Sequence, residues 1–330
     1  MGRVSTFADP EVLKMTRTDL VPVCTDDWYT RRRKDYEGDF FRKVADQSPR
    51  KGTNGGTRQG IYVFTADGEL LGYRNHGGDA EVMKKVFRDA KAKFDALPEA
   101  RRKPGSVKVP AAGKPDSDYH RVLPEGGLVL KVNARILESK AESFVKGTCE
   151  FTGGDQASRD YCWISADEMK ALAPSKPEVG FCYDVPAKIA ERLARFHLVD
   201  NTRGEPEFWK KEHVRRNRMT LMVLDVKDDA VELRLDGDVL ISADADEAKS
   251  KLGYEPKLRG TLRYVPGKKA FDRFDAVALG DYWGHTAYTA GSRPGRQPLG
   301  VAFGLADLGK ASERISPQGL RDRDPYLGRD

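Results

Sequence analysis

The chain has 330 residues, 39% hydrophobic and 33% charged, and a net charge of +6 from 57 basic and 51 acidic side chains. That length suits two domains and that apolar content can build real cores, while no run approaches the ~18 apolar residues of a membrane helix. So small a net charge is unlike a dedicated nucleic-acid binder, which concentrates basic charge on one face, and four cysteines without a C-x-x-C pair exclude a disulfide scaffold.

Residues 1–6 lack the apolar run of a signal peptide. The expectation is a cytoplasmic chain, or an exported one whose leader has been removed. Residues 8–17 read as a short helix with Asp9 as N-cap and Pro10 in the first turn. Asp19–Cys24 is a short β-branched run of the kind expected for a buried parallel strand. Residues 26–47 carry a helical stripe of Trp28, Tyr29, Phe40, Phe41 and Val44. A Gly-rich loop over 48–60 precedes a hairpin, Ile61–Phe64 and Leu70-Leu71, turned by Asp67-Gly68. An amphipathic helix over 79–94 closes this part, and five prolines between 95 and 126 predict an exposed linker.

Residues 127–310 are read as an antiparallel β domain, a sandwich or open barrel with a few short helices. Ser165–Glu168 is a capping box opening a helix to Leu172. Helices are expected over 186–196 and 205–217, then strands over 218–226, 230–243, 257–266, 271–280 and 298–305. The intervening turns are placed at Lys227–Asp229, Asp236-Gly237 and Pro266-Gly267. The last ~20 residues read as a loose polar tail. The fold class is therefore α+β.

Leu20–Cys24, followed by Gly60–Phe64 and Ala66–Leu71, resembles the thioredoxin-like superfamily over residues 5–95. The resemblance implies a strand running into a helix that opens at a redox site. The cysteine pair is missing, since Asp27 stands where the second thiol belongs, and no proline precedes Ile61. Dithiol chemistry does not carry over, and the acids after Cys24 disfavour a thiolate there.

Two stretches carry candidate chemistry. In the first, His197 and Asp200 have the residue types of an acid–base pair or two metal ligands, although a helix C-terminus also favours a capping histidine. In the second, a connection of about 17 residues is longer than an ordinary hairpin loop. It holds Asp281, Tyr282, Trp283, His285, Arg293 and Arg296, whose aromatic faces and guanidinium groups suit a sugar, a carboxylate or a peptide. A metal would need His197, Asp200, Asp281 and His285 to converge. No nucleotide loop, nucleophile elbow or zinc cysteine cluster is present, and Asp244-x-Asp246 lacks the rest of a calcium loop. No cofactor is named by these residues. The expectation is a non-catalytic binding or scaffold protein for a small molecule or protein partner. The alternative is a hydrolase or metal-dependent enzyme built on His197, Asp200 and His285.

Overall fold

The computed structural model describes residues 6–52, 56–75, 79–108, 110–111, 113–137, 157–289 and 295–329. Cys149 and Arg293 lie outside them. The chain divides into two units, Met1–Arg121 and Val122–Asp330.

In the first unit, α1 (Pro10–Thr18) starts where Asp9 accepts from the Glu11 and Val12 amides. The hairpin forms as expected: β1 (Ile61–Phe64) pairs antiparallel with β2 (Leu70–Arg74), and Gly68 supplies the positive φ of the turn. After Asp79 as N-cap, α4 (Ala80–Asp95) lays Met83, Phe87 and Ala90 against Val12, Val63 and Leu71. The stripe over 26–47 is two helices, α2 (Asp27–Thr30) and α3 (Tyr36–Ala45), each capped by its own aspartate. Residues 19–24 do not form the expected strand. Val21 is 91% exposed and Val23 77% exposed; among the described residues no strand pairs this run, and Pro22 lacks a donor. Asp27 is an anchor: it pairs with Arg31 at 2.7 Å and accepts from the Thr57 hydroxyl and the Arg58 amide. The predicted linker begins with α5 (Glu99–Arg102), and Asp116 is tied back to the Lys34 amide at 2.8 Å.

The second unit is dominated by one eight-stranded antiparallel sheet in the order β4-β3-β10-β9-β8-β7-β6-β5. The strands are β3 (Leu128–Ile136), β4 (Asp160–Ile164), β5 (Cys182–Asp184), β6 (Val214–Val226), β7 (Val231–Ser242), β8 (Gly253–Val265), β9 (Ala270–Trp283) and β10 (Gln297–Leu305). Alternation places Leu221, Leu233, Leu258, Ala276 and Val301 on one face, which forms a continuous core. The capping box opens α6 (Ala166–Leu172) as predicted. Next, α7 (Ala187–Arg192) runs into one π-helical turn, Leu193–His197. That turn touches both β4 and β6, close to the two ends of the sheet, so the apolar face curls around the helix.

Three expectations are corrected. Residues 205–217 are not a helix: Trp209 is buried, with its indole donating to the Leu198 carbonyl, and β6 already begins at Val214. Asp236-Gly237 lies inside β7, where the packed alternation overrides the turn signal and Leu258 crowds the glycine. The C-terminal tail is not loose. Tyr326, on α8 (Arg323–Tyr326), is 1% exposed and packs with Phe196, Tyr161 and Trp163.

Candidate functional site

The two sequence stretches meet at one end of the curled sheet. A cleft there is lined by Asp200, Arg203, Tyr282, Trp283, Gly284 and Gln297, and its interior volume of about 20 Å³ is that of one water. Asp200 is 1% exposed. One of its oxygens accepts from the Thr202 amide and hydroxyl, and the other accepts from Arg203 Nε at 2.6 Å. Arg203 then reaches across the sheet end, and its Nη2 donates to the Gly284 carbonyl at 3.1 Å. This buried ion pair fastens the start of the β9–β10 connection.

Glycines make the approach close enough. At Gly204 a Cβ would lie 2.1 Å from the Tyr288 carbonyl oxygen. Gly284 takes φ +83, and a Cβ there would meet the Lys251 carbonyl at 2.0 Å. Beyond them, the Thr289 hydroxyl accepts from the Thr286 amide at 2.8 Å and ties the next turn.

Tyr282 and Trp283 belong to β9, so the connection is shorter than the sequence suggested. Tyr282 is buried against Tyr254 and Trp209. Burial and the Asp200 charge both push its phenol pKa upward. The Trp283 indole donates to the Ser250 carbonyl at 2.9 Å. Over its face, 4.0 Å from the ring centre, sits the Arg296 guanidinium, which also pairs with Glu255 at 2.9 Å and Glu247 at 3.3 Å. Asp281 is exposed within β9, and His285 is exposed just beyond it. Among the described residues no group of three or more His, Cys, Asp and Glu side chains is placed to hold a metal ion.

His197 does not join Asp200. The π turn, closed by the Leu198 amide on the Leu193 carbonyl, points its ring the other way. Nε2 lies 3.1 Å from the Tyr326 hydroxyl, and Nδ1 lies 3.6 Å from Asp160 Oδ2. Burial, with the Arg192 charge nearby, lowers the His197 pKa to about 3. For Asp160, burial raises the carboxyl to about 6 against the pull of the Gln318 and Tyr161 amides. Beside them Arg192 grips Glu168 at 2.6 Å and donates to the carbonyls of Trp163 and Tyr326. Burial pushes the neighbouring Cys162 thiol up to about 12.

Comparison with known proteins finds no matching family model, curated protein or solved structure. The geometry therefore has to carry the functional reading alone. Sequence reasoning missed Arg203, Asp160 and Tyr326. For Arg203 the signal was available: an arginine three residues after Asp200, beside a glycine.

Proposed function

We propose that this chain is a binding protein whose ligand or partner is met at the cleft between the Asp200–Arg203 pair and the β9–β10 connection, with no chemistry done there. The observation that carries this reading is that the site's acid and base groups are already engaged. Both Asp200 oxygens accept hydrogen bonds, one from the Thr202 amide and the other from Arg203, so the carboxylate is committed to holding this turn and the arginine. His197 is turned to Asp160 in the core. What the cleft offers a ligand is aromatic surface from Tyr282 and Trp283 and the guanidinium of Arg203.

The finer reading of the second unit is an open barrel, with the cleft at one end and the α7 helix plugging the gap between sheet ends. The first unit is read as a degenerate thioredoxin-like domain that works through its surface. Its exposed Cys24 has Asp27 in place of a second thiol, and Asp27 is committed to Arg31. Nucleic acid is a poor fit as partner. In the basic runs Arg31 pairs with Asp27, Arg33 with Asp35, and Arg216 with Asp238 and Glu255.

The test is a titration of the full chain with acetate, glucose and glycylglycine at millimolar concentration, followed by the indole signals of Trp283. A saturable shift with at least one probe supports binding at the cleft. Hydrolysis of p-nitrophenyl acetate that is abolished by Asp200→Asn would replace this reading with the hydrolase one.

A further inference from the structure

On the reading of the cleft as the binding site, we propose that its ligand is a peptide, and that Arg203 Nη1 receives the oxygen of one uncharged amide carbonyl. A guanidinium has five N–H donors and no acceptor. The Arg203 side chain is 2% exposed. Its Nε donates to Asp200 Oδ2 at 2.6 Å, and its Nη2 donates to the Gly284 carbonyl at 3.1 Å. Nη1 is buried and among the described residues meets no acceptor. A buried donor without a partner is costly and rare in folded proteins. Here it belongs to a residue of the cleft wall.

Charge decides between the ligands. Asp200 lies against Arg203 with both side chains buried, so the two formal charges cancel within the wall. Among the described residues that line the cleft, Arg203 is the one cation. Arg296, over the Trp283 ring, is already paired with Glu255 and Glu247. An entering carboxylate would therefore set an unanswered negative charge beside Asp200, away from water, where charge is most costly. A carbonyl oxygen accepts the same N–H bonds and adds no net charge. A sugar hydroxyl accepts as well, but its own proton needs an acceptor, and both Asp200 oxygens already serve Thr202 and Arg203.

Size points the same way. The interior of about 20 Å³ admits one oxygen atom. The carbonyl oxygen enters alone, and the rest of the peptide lies outside.

Acetamide and acetate test the assignment, because they share a shape and differ in charge. Each is titrated into the full chain at constant ionic strength, with glucose as a third probe. The indole signals of Trp283 and the guanidinium N–H signals of Arg203 are followed by NMR. Acetamide should shift both saturably, and acetate should bind at least about tenfold more weakly. Acetate binding as tightly as acetamide overturns the proposal and leaves the cleft a binding site. So does a response to glucose with none to acetamide. Silence from all three probes overturns the peptide assignment and the cleft reading together. An acetamide shift at Trp283 that leaves the Arg203 signals unmoved overturns the role of Nη1. Arg203→Lys keeps a cation opposite Asp200 and deletes Nη1, so acetamide affinity should fall about tenfold. Unchanged affinity overturns the proposal; should the variant not fold, the wild-type Arg203 signals decide.

Discussion

Tyr326→Phe removes a single oxygen from the C-terminal segment, and its effect separates a fastened segment from a loose one. The ring itself should stay. It packs edge-on against Phe196 at 5.2 Å and lies under the Arg192 guanidinium at 5.0 Å, and phenylalanine keeps both contacts. What is lost is the hydroxyl between the Trp163 amide and His197 Nε2, each 3.1 Å away. Both groups are buried, so neither gains a water in exchange. An orphaned buried donor or acceptor costs about 1–3 kcal/mol, and two of them put the loss at roughly 2–6 kcal/mol. For a unit of this size that is a fall in Tm of about 4–24 °C. Calorimetry on wild type and variant reads the global loss, and hydrogen exchange at the Trp163 amide reads its location. Protection at that amide should drop further than at the amides of β7 and β8. A loss below about 0.5 kcal/mol, the range of ordinary surface changes, would refute the reasoning, because it would mean that the hydroxyl contacts carry no weight and that the segment is held by other means.

Gly204→Ala puts a methyl group where the Tyr288 carbonyl oxygen sits, at 2.1 Å, so the connection must move. A loss of about 1–3 kcal/mol is expected, with shifted Trp283 signals; an unperturbed spectrum would count against the close approach. Arg296→Ala removes a half-exposed ion pair and a cation–π contact, so its stability cost should stay under about 1 kcal/mol. Denaturation would expose a larger structural role. With iodoacetamide under native conditions, exposed Cys24 and Cys182 should react, while Cys162, buried and pushed up to about 12, should react only on unfolding. Labelling of Cys162 in the folded protein would contradict its burial.

What the sequence revealed and what it hid divide along the reach of the forces involved. Helix caps at Asp9, Asp79 and Ser165 act over two or three residues, and all three are where the sequence puts them. The Asp67-Gly68 turn is equally local, and so are the alternating strands β6 to β10. The misread segments are those whose state depends on a distant neighbour. Leu20–Cys24 has the composition of a strand but no partner strand among the described residues, and Asp236-Gly237 has a turn's residues inside a ladder that pairs on both sides. The site shows the same division. Asp200, Tyr282 and Trp283 were legible as unusual residues in unusual places, yet the cleft exists because Arg203 spans 81 positions to Gly284. His197 was singled out correctly as an odd residue but assigned to the wrong carboxylate. Its two contacts lie on β4 and 129 positions away at Tyr326. His197 closes a π turn, Leu193–His197, and a single five-residue turn leaves no periodic trace in composition. A buried polar ring is costly unless it is hydrogen-bonded, and His197 Nε2 meets the Tyr326 hydroxyl, so the ring and the C-terminal segment are held together by a contact that no local pattern announces.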